Sequence, residues 1–256
     1  MEKEHTVTPE DGEDTAILKV RGLSKTFDHV VALDDVSFDI NSQEVLGLVG
    51  DNGAGKSTLI KLVSGVYRAN AGKVVFGGRQ VEFNSPRESR DSGIEVIYQD
   101  MALVDELEVW ENVFLGRQLR HGFGVIDRKR MIEEAASLLE RLGLGSLSPT
   151  TQVGYLSGGQ KKGVAISRAL YWDTRVIFMD EPTAALAVIE IQRVLELIER
   201  LREKGVAVVF VSHNLKEILG VTNRIIVLHR GQLTGILDTK ETDEDEVIRL
   251  MMGGEN

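Results

Sequence analysis

Apolar residues fall in this chain in two spacings. Residues 45–49 (Val-Leu-Gly-Leu-Val), 176–179 (Val-Ile-Phe-Met), 206–211 and 225–228 are apolar almost without interruption. Short runs without polar alternation predict strands covered on both faces, as in a parallel sheet. Between the second and third runs, Val194, Leu197, Ile198 and Leu201 recur at i, i+3, i+4 and i+7. That spacing predicts a helix buried along one side. Strands alternating with helices make the fold class α/β. Elsewhere the pattern differs. Residues 16–21 and 30–40 read as strands of a β-rich start. Residues 74–83 read as a hairpin turning at Gly77-Gly78. Ser85-Pro86-Arg87-Glu88 is a capping box with Pro at the first helical position, and Gly93 ends that short helix. From about residue 109 to 170 the text is helical, with Asp127 capping a long segment that ends at Gly143.

The stretch between the first apolar run and the helix expected after it changes the picture from fold to chemistry. Gly50-Asp51-Asn52-Gly53-Ala54-Gly55-Lys56-Ser57 fits the phosphate-loop pattern G-x-x-x-x-G-K-[ST] at every fixed position, and Thr58 begins the helix text. Glycines let backbone wrap a phosphate, and a helix start offers free N–H groups and a positive dipole end. Lys56 adds a charge for the β- and γ-phosphates, and Ser57 offers a hydroxyl to Mg²⁺. A turn that only connects would not need three glycines, each costing about 0.5–1 kcal/mol against Ala.

Two later stretches add parts. Residues 176–179 run into Asp180-Glu181, the Walker B pattern of an apolar strand ending in carboxylate. Successive strand residues face opposite sides. Asp180 can therefore serve a metal and Glu181 an attacking water, although Pro182 follows at once, as it would in a solvated loop. Leu156-Ser157-Gly158-Gly159-Gln160 contains a capping box, Ser157 to Gln160. A cap does not require Gly158 and Gly159, which weaken a helix by about 1 kcal/mol each, but they permit close approach of an anion. This is a second candidate phosphate site.

Composition narrows the class. The chain has 256 residues, 42% of them apolar and 27% charged, and no cysteine. Disulfides, thiolate metal sites and a cysteine nucleophile are excluded. The formal net charge is −10, concentrated in residues 1–15 and 241–256, each with six acidic groups and one basic group. The N-terminal stretch is expected to be disordered, and no basic patch argues for nucleic acid. No signal peptide and no apolar run of membrane-spanning length is legible. His5, His29, His121 and His229 show no ligand spacing, so no structural metal is expected.

With phosphate loop, Asp180-Glu181 and LSGGQ in one chain, the sequence resembles the ATP-binding-cassette (ABC) ATPases over about residues 17 to 252. The resemblance implies ATP and Mg²⁺ as cofactors. It also implies a P-loop NTPase core with a mostly parallel sheet, an antiparallel β subdomain, and a helical subdomain inserted at about 97–170. Residues 16–252 would form one ATPase domain, with 1–15 and 253–256 as tails. It further implies roles for single residues. Gln99 would touch Mg²⁺ and join the lobes, His213 would sense the γ-phosphate, and Phe27 would stack on adenine. Ser157–Gln160 would face the γ-phosphate of a second ATPase subunit. In the family an Asp often stands where this chain has Ala187. The branch of ribose, xylose and fructose importers has a small residue there, and the surrounding motifs of this chain resemble that branch. These include Tyr98-Gln99-Asp100, residues 111–117, residues 181–186 and Ser212-His213-Asn214. The implied protein is a peripheral ATPase on the cytoplasmic side of the membrane. Its partners would be a second ATPase subunit, separate permease subunits and, indirectly, a periplasmic-type binding protein. The alternative is a soluble cassette ATPase acting in assembly, on ribosomes or on DNA.

Overall fold

The structure, a computed structural model, describes residues 16–254; the acidic stretch 1–15 and residues 255–256 lie outside them. The chain opens with an antiparallel pair, β1 (Ala16–Phe27) and β2 (Val30–Asn41). β1 runs six residues past the strand expected from the sequence, because the polar residues after Arg21 stay paired across several register shifts. β3 (Val45–Val49) then leads through the glycine-rich loop into α1 (Lys56–Val63). β4 (Ala71–Phe76) and β5 (Arg79–Val81) form the expected hairpin. Gly77 and Gly78 have φ of +56° and +78°, the left-handed pair that a two-residue primed turn requires. These strands make a four-stranded antiparallel sheet in the order β2-β1-β4-β5.

α2 (Pro86–Asp91) begins at the Ser85 cap, which accepts from Glu88 N at 3.3 Å. The reciprocal bond of a capping box goes one residue further out, with Asn84 N donating to Glu88 Oε2 at 2.9 Å. β6 (Ile94–Ile97) follows, and then α3 (Val109–Val113), α4 (Arg128–Arg141) and α5 (Gly158–Leu170). The expected helical text of 109–170 is thus three helices separated by long loops. Gly116, Gly124 and Gly143 break it with positive φ. Asp127 caps α4 as expected, accepting from Arg130 N at 3.1 Å.

The chain then alternates through β7 (Val176–Asp180), α6 (Val188–Glu203), β8 (Ala207–Val211), α7 (Leu215–Val221) and β9 (Arg224–His229). It closes with β10 (Gln232–Asp238) and α8 (Glu244–Met251). The second sheet has the order β10-β9-β3-β8-β7-β6, parallel except for the pairing of β10 with β9.

Unbroken apolar runs make sense in this sheet because it is covered on both faces. Ile177, Met179, Val208 and Phe210 enter one core with α4, α5 and α6. Val176, Phe178, Val209 and Val211 enter the other, with α1 and the antiparallel sheet. Val194, Leu197, Ile198 and Leu201 are the buried stripe of α6, each stabilising by about 1.5–3 kcal/mol when fully covered. β3, β8 and β7 are parallel neighbours, so Val49, Val211 and Asp180 end on one edge of the sheet. Loops leaving that edge meet, and ligands of open α/β sheets bind at such carboxyl ends.

Candidate functional site

The loop after β3 is shaped by its glycines. Gly50, Gly53 and Gly55 have φ of +150°, +83° and +109°, where a side chain would be strained. A Cβ on Gly50 would stand 2.3 Å from the Leu228 carbonyl oxygen, and one on Gly55 2.6 Å from Leu33 Cδ2. Gly55 is the N-cap of α1 and supplies no side-chain cap. The first N–H groups of α1, from Lys56, Ser57 and Thr58, therefore have no side-chain cap from that residue. Lys56 is buried, and its Nζ donates to the carbonyls of Gly50 at 2.5 Å and Asp51 at 3.0 Å. Burial lowers its pKa, opposed by the charges of Glu181, Asp180 and Asp51.

Across from this loop β7 ends at Asp180. Burial, and then the neighbouring Glu181 charge, raises the Asp180 pKa, while Lys56 pulls it down. Glu181 leaves the strand at φ +51°, with its N–H donating to Val211 O at 3.0 Å. The alternation expected for two successive strand residues is replaced by this kink, and both carboxylates line one cleft. Glu181 Oε1 meets Nε2 of His213, which follows β8. Residues 30–32 of β2, residues 52–58, Asp180, Glu181 and His213 share the walls of one cleft of about 230 Å³. Asn52, Gly53, Ala54, Gly55, Lys56, Ser57 and Thr58 are therefore brought together with Asp180, Glu181 and His213. Gly50 and Asp51 sit behind them as the acceptors of Lys56.

Phe27 and Gln99 lie outside the walls of this cleft. The Phe27 ring is partly exposed and packs edge-on against Tyr67, centroids 5.1 Å apart, with Lys25 Nζ 5.0 Å from its centre. Gln99 is exposed, and its carbonyl accepts from the buried Lys162 Nζ of α5 at 3.4 Å. Beside it opens a groove of about 540 Å³ between β6 and the inserted helices, lined by Tyr98, Met101, Leu115, Arg168 and Trp172 among others.

Ser157, Gly158, Gly159 and Gln160 also stand apart from the cleft. Their capping box is formed, with Gln160 N donating to Ser157 Oγ at 3.3 Å and Ser157 N to Gln160 Oε1 at 3.0 Å. The glycines have a reason within the chain that the sequence did not disclose. A Cβ on Gly158 would meet Leu186 Cδ2 at 2.7 Å, and one on Gly159 the Glu190 Cβ at 3.1 Å. Glu190 Oε1 accepts from Gly159 N at 3.2 Å, and its Oε2 from Ala187 N at 3.3 Å. Hydrogen bonds from Ser157, Gly159 and Ala187 hold the Glu190 carboxyl below its usual range. Ala187 caps α6 through its backbone alone.

Sequence reasoning missed Glu217, a buried carboxylate on α7 that joins the turns after β7 and β8. Its only signal was a carboxylate in the first turn after Asn214, which reads as an ordinary helix start.

The residues of the cleft fit Mg-nucleotide. The glycine cradle leaves room where a Cβ would collide, and Ser57 and Asp180 offer hard oxygen donors. Among the described residues no group of three His, Cys, Asp or Glu could hold a metal alone. Mg²⁺ takes one or two protein oxygens and completes its shell with phosphates and water, so Ser57 and Asp180 would be enough to hold it. Among the described residues no helix is long and apolar enough to cross a membrane.

The family model described as ABC transporter matches residues 33–184. The chain is 46% identical, over 92% of its length, to the ribose import ATP-binding protein RbsA of Chromobacterium violaceum, and covers 47% of that protein. It therefore spans about half the length of that ribose relative. It is 44% identical to the xylose/arabinose import ATP-binding protein XylG of Sulfolobus acidocaldarius, over 92% of this chain and 93% of the relative. Its structure is similar to the ADP conformation of an ATP-binding cassette of an ABC transporter. The TM-score is 0.81 at 29% identity, over 93% of this chain and 99% of the other.

Proposed function

Because this chain belongs to the ABC transporter family, we propose that it hydrolyses Mg-ATP in the cleft between β3, β7 and β8 and couples that hydrolysis to import of a monosaccharide. The observation that carries the reading is the convergence of Lys56, Asp180, Glu181 and His213, from three strand ends, on one cleft. In the mechanism Lys56 exchanges the carbonyls of Gly50 and Asp51 for β- and γ-phosphate oxygens, and the N–H groups of Gly53 and of residues 55–58 surround those phosphates, that of Ala54 being held by Asp51 O. Ser57 and Asp180 would hold Mg²⁺, which when bound neutralises phosphate charge. Gln99 would reach the same ion only if its loop moved toward the cleft. Glu181 takes a proton from the attacking water as its oxygen bonds to the γ-phosphorus. The bond to the bridging oxygen breaks and ADP leaves. His213 holds the Glu181 carboxylate in place. Phe27, at the end of β1, is the aromatic available to an adenine ring.

Ser157 to Gln160 cannot serve the phosphates of their own cleft from where they stand. They would act on the γ-phosphate of a second copy, in a two-fold dimer that forms both sites at once. The groove beside Gln99 would be the surface offered to a separate permease subunit, with the chain peripheral at the inner face of the membrane. A substrate-binding protein would be engaged only through that permease. The cargo reading rests on the ribose and xylose/arabinose importers to which the chain is similar. Cells lacking this chain are expected to lose uptake of labelled ribose or xylose, and to regain it with the wild-type chain but not with Glu181→Gln. Undiminished uptake of both sugars in the deletion strain would contradict the cargo.

A further inference from the structure

Two turns carry the groups that the mechanism needs closest together, Glu181 after β7 and His213 after β8. Backbone ties them once, through Glu181 N to Val211 O. The turn of Glu181 is also strained. Glu181 and Ala185 have φ of +51° and +59°, and non-glycine residues keep such conformations only where their surroundings over-determine them. The surroundings here centre on one side chain. Thr183 Oγ1 donates to Glu217 Oε2 at 2.6 Å, and Ser212 Oγ donates to the same oxygen at 3.1 Å. Asn214 Nδ2 donates to Glu217 Oε1 at 3.0 Å. Thr183 lies two residues after Glu181, and Ser212 and Asn214 flank His213. Thr183, Ser212 and Glu217 are all buried.

Helix capping does not account for this arrangement. In a capping box the residue at this position of α7 would accept from the N-cap N–H. Asn214 N instead donates to Ser212 Oγ at 3.1 Å, and the Glu217 carboxylate is spent on donors from both turns. Both hydroxyls donate to Glu217, and Ser212 keeps a lone pair for Asn214 N.

We propose that Glu217 is a positioning residue that clamps the turn of Glu181 to the turn of His213 and so fixes their geometry for water activation. The inference rests on the roles given to Glu181 and His213 above. Glu217 is buried and does not line the cleft, so its loss should act on turnover and spare binding.

Steady-state ATP hydrolysis by the full chain, with ATP affinity by calorimetry, tests it. Glu217→Ala and Thr183→Val should each lower kcat by about tenfold or more, because small misplacements of reacting groups are that costly, with KM and ATP affinity within about twofold of wild type. Glu217→Gln keeps an oxygen for both hydroxyls but turns an amide donor toward Asn214 Nδ2, so its kcat should fall between those of wild type and Glu217→Ala. Thr183→Val preserves shape and so reads the clamp even where Glu217→Ala does not fold. A merely structural role is separated by a double-mutant cycle. In the Glu181→Gln background, where the positioned base is gone, Thr183→Val should cost less than about threefold more. Wild-type kcat in Glu217→Ala and Thr183→Val, with Glu181→Gln slow, would overturn the clamp alone. So would a tenfold-type loss that persists undiminished in the Glu181→Gln background. Wild-type turnover in Glu181→Gln would instead overturn the base assignment, and the clamp's role in water activation with it.

Discussion

Glu181→Gln is expected to bind Mg-ATP as the wild type does and to turn it over on the order of 10²-fold more slowly, or worse. The side chain keeps its shape and its position on the strained turn after β7, where its N–H pairs with Val211 O. What it loses is the capacity to accept a proton. Asp180, whose pKa is raised by burial and by the Glu181 charge and lowered by Lys56, is the residue proposed to hold Mg²⁺ and so does not replace it as base. Rapid-quench assays of ATP cleavage alongside calorimetric binding would read the two effects separately. Wild-type turnover with normal binding would reject Glu181 as the base. Equal losses in binding and turnover would place it among the binding groups.

Lys56→Ala is expected to weaken ATP binding by about 10²-fold or more, since hydrogen bonds to charged groups contribute about 1.5–3 kcal/mol each. Lys56 is the buried cation among Asp51, Asp180 and Glu181. Without it those carboxylates would face the phosphates uncompensated. The fold should survive. Burial already disfavours the charged amine, and truncation relieves that penalty while leaving the carbonyls of Gly50 and Asp51 open to water in the cleft. Calorimetry with a thermal melt decides the matter. Unchanged affinity in a folded variant would remove Lys56 from phosphate binding.

The parts of the site that were legible in the sequence are those whose chemistry is written into spacing. Gly50, Gly53 and Gly55 announce the phosphate loop because each needs a positive φ that other residues resist. β3, β7, β8 and β9 announce themselves because a sheet covered on both sides wants apolar residues at every position. β6 was not read. It is four residues long and half-polar at Glu95, and no local pattern says that it pairs with β7. β10 went unseen for the opposite reason. As an edge strand that is mostly half-exposed, it mixes Gln, Thr and Asp with its apolar residues. Gly158 and Gly159 have a cause that spacing does not show, since their missing side chains let α5 approach Leu186 and Glu190. Glu217 is a tertiary fact. Its value arises only once two loops from distant positions meet over it.

The claim that most needs testing is that two copies of this chain complete one another's sites. In one copy, Ser157 to Gln160 lie outside the cleft that holds Lys56 and Glu181, so a nucleotide bound there needs a second chain to reach them. The measurement is the solution mass of Glu181→Gln by light scattering during size exclusion, with and without Mg-ATP. It is repeated in a chain that also carries Ser157→Asp. Asp remains a good N-cap and puts a negative charge where the phosphate of the opposite copy would lie, but it also faces the Glu190 carboxyl that Ser157 bonds, so a thermal melt of the variant is read alongside. The expected result is a monomer without nucleotide, a doubled mass with Mg-ATP, and a return to monomer when Ser157→Asp is added while each chain still binds ATP. A Glu181→Gln chain that stays monomeric at saturating Mg-ATP, or a dimer indifferent to Ser157→Asp, would contradict it.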